Sequence, residues 1–138
     1  MKILVAVDGS QPSQKVVQLL IDHCGWYREN PEVELVTVHL PVPKVANVNK
    51  AQLERYYQEE GAGMLAAAKK KLDAAGIAYQ AHVLVGPVAE AIVKHAKDKR
   101  CDLIYIGTRG MSALGKALIG SIATKVLHIS DTPVLLVK

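Results

Sequence analysis

Small residues cluster toward the C-terminal end of the chain at Gly107, Gly110, Gly115 and the pair Gly120 and Ser121. Such residues let a backbone turn sharply and approach an anion closely, and the free N–H groups of a helix opened by them favour negative charge. The chemistry this spacing could do is phosphate binding. Two overlapping motifs assign it to different residues. Gly110, four residues, Gly115 and Lys116 approximate a P-loop, but Ala117 stands where Ser or Thr would hold magnesium. That loop also precedes only one short apolar run, which has no acidic residue at its end for a second metal ligand. The other motif runs Gly107, two residues, Gly110, nine residues, then Gly120 and Ser121, whose hydroxyl adds a donor. Spacing alone leaves open whether these glycines cradle an anion or only shape a turn and start a helix.

Other candidates are fewer. Asp8 ends the first apolar run, where its carboxylate could meet a ligand or cap a following helix. Arg109 and Lys116 could neutralise phosphate or point to solvent. His39, at the end of the second run, reads as a packed or solvent-facing imidazole. His23, His82, His95 and His128 have no ligand-like spacing to one another, which predicts no structural metal site. Cys24 and Cys101 lack CxxC spacing and read as small hydrophobes in a reduced, cytoplasmic protein.

The elements that must position these residues follow from hydrophobic periodicity. Apolar runs at 3–7, 33–40, 77–85, 103–106 and 134–137 predict five strands. The first and the last two are nearly continuous in Val, Ile and Leu, as in strands buried on both faces of a parallel sheet. The third carries Gln80 and His82 and suits a sheet edge. Helical spacing links Val16, Val17, Leu20 and Cys24, then Leu53, Tyr57, Met64, Ala68 and Leu72 up to Gly76. It recurs in Val88, Ile92, Ala96 and Lys99 after Pro87, and in Ile119, Ile122, Ala123, Val126 and Leu127, each stripe predicted to face the core. The pattern β-α-β-α-β-α-β-α-β with right-handed crossovers predicts a doubly wound three-layer α/β sandwich around a five-stranded parallel sheet, in one domain over 1–138; with the strand order 3-2-1-4-5 the first and fourth strands are neighbours. Ligands of such sheets bind beyond the strand carboxyl ends where the winding reverses, which sets Asp8 across a crevice from the glycine-rich loop. Residues 41–50, with two prolines and two asparagines, read as a surface loop or lid.

With 50% apolar and 22% charged residues the chain has the composition of a packed domain. Its net charge of +4 is spread over single sites and helix faces without interleaved aromatics, which argues against nucleic acid as ligand. No apolar run approaches the ~18 residues of a membrane span.

The chain resembles the universal stress protein family, in its ATP-binding branch, nearly end to end. The resemblance is carried by the run from Ile3 to Ser10, by Val38, His39 and Leu40, and by Gly86 and Pro87 ahead of Ile92. It continues from Asp102 to Gly110, through Gly120 and Ser121, and from Thr132 to Val137. The G-2x-G-9x-G-S pattern is intact and specific to that branch. The resemblance implies a Rossmann-like, adenine nucleotide hydrolase-like fold that holds ATP, with Mg or Mn carried on the phosphates. Asp8 would contact the ribose, and Leu40, where the family usually has Val, would offer backbone hydrogen bonds beside the adenine. Gly107, Gly110, Gly120 and Ser121 would line ribose and phosphates. It also implies a nucleotide-dependent regulatory or stress-response role toward a protein partner, and a homodimer formed by antiparallel pairing of the edge strand at Val134–Val137. Alternatives are a slow ATPase, for which the sequence offers no catalytic constellation, and a nucleotide-independent interaction module of the same fold.

Overall fold

Runs dense in Val, Ile and Leu become strands β1 (Lys2–Ala6), β2 (Glu32–His39), β3 (Tyr79–Val85), β4 (Leu103–Gly107) and β5 (Val134–Val137). They pair in parallel, as the alternation of strands and helices predicts, in the expected order β3-β2-β1-β4-β5, and the polar third strand lies at an edge. The computed structural model describes residues 1–44, 47–109 and 119–138. The helices are α1 (Gln11–His23), α2 (Lys50–Ala74), α3 (Val88–Asp98) and α4 (Ser121–Ile129). Among the described residues no helix is long and apolar enough to cross a membrane.

Successive strand residues point to opposite faces, so the sheet builds two cores. Ile3, Val5, Leu35 and Tyr105 pack with Val16 and Leu20 of α1 and Leu65 and Leu72 of α2. Leu4, Ala6, Val36 and Ile104 pack on the other side with Ile92 and Ala96 of α3 and Val126 of α4. Cys24 and Cys101 are free thiols, and burial pushes that of Cys101 up to about 11, which keeps it protonated and inert at neutral pH.

Two features differ from expectation for local reasons. The third strand begins at Tyr79 rather than residue 77, because Ile77 still belongs to the end of α2. Its N–H donates to Leu72 O at 3.0 Å and that of Gly76 to Asp73 O at 3.1 Å, with Gly76 at φ +68. These paired bonds around a left-handed glycine satisfy the last carbonyls of the helix. The other correction concerns α4, whose stripe does not lie wholly in the core. Ala123 and Val126 are buried, whereas Ile119, Ile122 and Leu127 are 39%, 38% and 43% exposed. A nine-residue helix beside the short β5 covers only the inner part of its own apolar face.

The segment after β2 joins no helix or strand among its described residues until Asn49 caps α2. The Asn49 carboxamide oxygen accepts from Gln52 N while Gln52 Oε1 accepts from Asn49 N, a reciprocal cap. Val42 N donates to Tyr57 Oη at 2.9 Å and ties this segment to α2.

Candidate functional site

Past the carboxyl ends of β1, β2 and β4, the described residues enclose a cleft of about 360 Å³, within the ~300–1,000 Å³ usual for small-molecule sites. It lies where the sheet winding reverses, because β2 and β4 flank β1 and their chains leave toward opposite faces. Its floor and one wall are apolar, with Ala6, Val36, Val38, Ile92, Ile106 and Met64, and its rim carries Asp8, Arg109 and Ser121. A flat apolar group with a charged tail matches that division.

The β1 end sets the first side. Asp8 Oδ1 accepts from Ser10 N at 2.9 Å and from Ser10 Oγ at 2.5 Å. Ser10 rather than Asp8 then caps α1, its hydroxyl accepting from Ser13 N at 3.3 Å. The helix-cap alternative for Asp8 is thereby replaced by an Asx turn that holds its carboxylate at the cleft. Gly9 makes the turn with φ +81, and a Cβ there would sit 3.1 Å from Met64 Cα, so the same glycine lets α2 close over the β1 end.

The β4 end sets the opposite side. Gly107, the last residue of β4, has Arg109 O 3.2 Å from where a Cβ would be. Gly120 N donates to Thr108 O at 2.6 Å, and a Cβ on Gly120 would lie 3.1 Å from that oxygen. The absent side chains thus let the chain fold back on itself and bring the start of α4 to the strand end. No side chain caps α4, and no acidic residue occupies its first turn. The first N–H groups of a helix lack intrahelical partners and carry the positive end of its dipole, so this end of the cleft suits an anion.

At the β2 end, Leu40 is 61% exposed at the mouth of the cleft. Its carbonyl oxygen already receives His39 Nδ1 at 2.7 Å and has a second lone pair for another donor. The His39 ring meets the edges of Tyr56 and Tyr57, with centroids at 5.6 and 5.1 Å, so the imidazole is packed while also lining the cleft.

Asp8, Leu40, Gly107, Arg109, Gly120 and Ser121 therefore line one cleft. Gly110, like Gly115 and Lys116 of the approximate P-loop, lies outside the described residues. Sequence reading missed the apolar lining. Val36 and Val38 were legible as alternate residues of β2 on the face that Leu40 continues. Met64 read as core at helical spacing, and only the crossing of α2 over β1 and β2 brings it to the cleft, where its sulfur accepts from Thr37 Oγ1 at 3.5 Å.

Fold and site together define a doubly wound α/β protein with an apolar, anion-suited cleft at its switch point. A family model described as the universal stress protein family matches residues 1–138, and the chain belongs to that family. It is 30% identical over 149 residues to the universal stress protein YxiE of Bacillus subtilis, covering 99% of this chain and 98% of that protein. The solved structure of MJ0577 from Methanocaldococcus jannaschii matches with a TM-score of 0.81 at 28% identity, over 99% of this chain and 94% of that one. A universal stress protein solved in complex with cAMP matches with a TM-score of 0.74 at 25% identity, over 100% of this chain and 97% of that one.

Proposed function

We propose that the cleft binds an adenine nucleotide, ATP with Mg or Mn carried on its phosphates, and that occupancy makes this single 1–138 domain a nucleotide-dependent regulatory or stress-response factor of the cytoplasm. The observation that carries the reading is the convergence of Asp8, Gly107, Gly120, Ser121 and the uncapped end of α4 on one apolar cleft. The base would lie against Val36, Val38 and Ile92 near the Leu40 backbone, the ribose by Asp8, and the phosphates at Gly107, Gly110, Gly120 and Ser121, with Arg109 adding positive charge. For binding to regulate anything, the nucleotide must favour one state of the protein over another. Holding is favoured over hydrolysis, because Asp8 is the single carboxylate in the described lining and one of its oxygens accepts from Ser10.

Mass spectrometry of small molecules released by acid from freshly purified protein, followed by calorimetric titration with ATP, AMP and cAMP, tests the reading. An adenine nucleotide in the extract and saturable ATP heat are expected. Absence of both would remove the proposal.

We propose further that two chains pair antiparallel through Val134–Val137, the exposed edge opposite β3. Leu127 of α4, which packs beside β5, is partly uncovered, which supports an apolar surface near that edge. Light scattering behind size exclusion is expected to report twice the 14.9 kDa of one chain, and a species of 14.9 kDa alone would rule the dimer out.

A further inference from the structure

The face of the sheet under α3 holds a group of side chains that the nucleotide cleft does not use. Glu34 on β2, His82 on β3 and His95 on α3 are far apart in sequence, but their ligand atoms all lie within 4.8 Å of one another. Strand register explains the meeting. Val36 pairs with His82 across β2 and β3, and Glu34 lies two residues earlier on the same face, under the last turns of α3. The Glu34 side chain is 5% exposed, His95 10% and His82 24%, so protein closes the group on most sides and His82 opens it to solvent.

One carboxylate oxygen, Glu34 Oε2, faces both imidazoles. His95 Nε2 is 3.1 Å away and forms a hydrogen bond. His82 Nε2 is closer, at 2.6 Å, yet it is a buried nitrogen with no hydrogen-bond partner. A nitrogen and a carboxylate oxygen at that distance repel unless positive charge lies between or beside them. A protonated His82 supplies that charge as an ion pair, although the contact does not meet hydrogen-bond geometry. A metal ion supplies it from a point common to all three ligand atoms.

We propose that Glu34, His82 and His95 form a binding site for a first-row divalent transition ion, zinc being the probe, with water completing the coordination on the His82 side. Two imidazoles and one carboxylate are a ligand set that zinc accepts, at about 2.0–2.2 Å from each donor. Tetrahedral bonds of that length separate donors by roughly 3.4 Å, so the 3.1 Å contact to His95 needs to open by about 0.3 Å and the 2.6 Å contact to His82 by about 0.8 Å. The bound ion would tie edge strand β3 to β2 and α3 at the end of the sheet away from the nucleotide cleft.

The test uses tag-free, nucleotide-free full-length protein, stripped with a chelator and dialysed. Zinc is titrated against a chromophoric chelator, and cobalt is followed by its visible absorption. Uptake of one zinc per chain is expected, with cobalt bands in the visible and no thiolate charge-transfer band. His82→Gln, on the edge strand where the group opens to solvent, is expected to weaken zinc by at least about tenfold. Glu34→Gln should do the same wherever circular dichroism shows it folded, while Cys24→Ser should bind as the parent does. Failure to take up stoichiometric zinc, parental affinity in His82→Gln, or a thiolate band in the cobalt spectrum would each overturn the assignment.

Discussion

Ser121→Glu is expected to raise the dissociation constant for ATP by about 100- to 1,000-fold without lowering the melting temperature. Ser121 is the first residue of α4 and lines the cleft at the end assigned to phosphate. Two like charges about 4 Å apart near a protein surface repel by roughly 4 kcal/mol, and solvent screening removes part of that. A loss of about 3–4 kcal/mol in binding corresponds to the stated range, since each ~1.4 kcal/mol is tenfold. The same carboxylate at a helix start interacts favourably with the dipole, by about 0.3–1 kcal/mol, and α4 has no acidic residue in its first turn to compete with it. Binding and stability are therefore predicted to move in opposite directions, which damage to the fold would not produce. Calorimetry with ATP and a thermal melt read the two quantities. The milder Ser121→Ala removes one hydroxyl donor to an anion, a loss of about 1.5–3 kcal/mol, and should exceed the effect of Lys116→Ala. A P-loop would reverse that order, and a Ser121→Glu variant that binds ATP as the parent does would sink the phosphate assignment.

Gly61→Val should destabilise the fold by about 3 kcal/mol, which for a domain of this size lowers the melting temperature on the order of 10 °C. Gly61 lies inside α2, where glycine is unfavourable by about 1 kcal/mol relative to alanine, so packing must account for its presence. A Cβ built at Gly61 would stand 2.4 Å from both methyl carbons of Val83 on β3. The helix rests directly on the edge strand there, and any side chain must push the two apart. Gly61→Ala gains helix propensity but should still be less stable than the parent. Combining it with Val83→Ala removes the methyls it meets and should recover stability, with a coupling energy of about 1–2 kcal/mol. Calorimetric melting of the two single variants and the double variant provides the cycle. Additive losses would mean that the contact does not control how α2 approaches the sheet.

Gly61 marks a limit of reading the chain residue by residue. Glycine inside a helical pattern can mean a weak point or a close approach, and only the position of Val83 across the interface distinguishes them. Met64, one turn further along α2, read as core because its spacing is helical. It does pack, but against the Gly9 turn and along the cleft wall. The stripe on α4 carried the converse error. Periodicity shows which residues share a face, but how far a neighbour covers that face depends on sheet width, and the edge strand beside α4 is short.

The histidines show the same limit most sharply. Spacing along the chain gave no reason to group His82 with His95, and none to add Glu34. Parallel pairing of β2 with β3 and the docking of α3 on that face bring the three donors within 4.8 Å. Metal-ligand spacing is a useful guide where ligands share a loop or a helix. It has no bearing on ligands contributed by three separate elements.

By itself the sequence determined the five strands, their parallel pairing and the edge position of the third, because burial on two faces, burial on one face and turn chemistry each leave a periodic trace in residue type. It also determined the small residues at Gly107, Gly120 and Ser121 and the acid at Asp8, since close backbone approach and a helix opening place strict demands on residue identity. Tertiary structure alone decided which apolar side chains became cleft wall rather than core, that Ser10 and not Asp8 caps α1, and that an acid and two histidines meet beneath α3. Those outcomes depend on distances between elements remote in sequence, which are set by how helices seat on the twisted sheet and leave no local pattern in the chain.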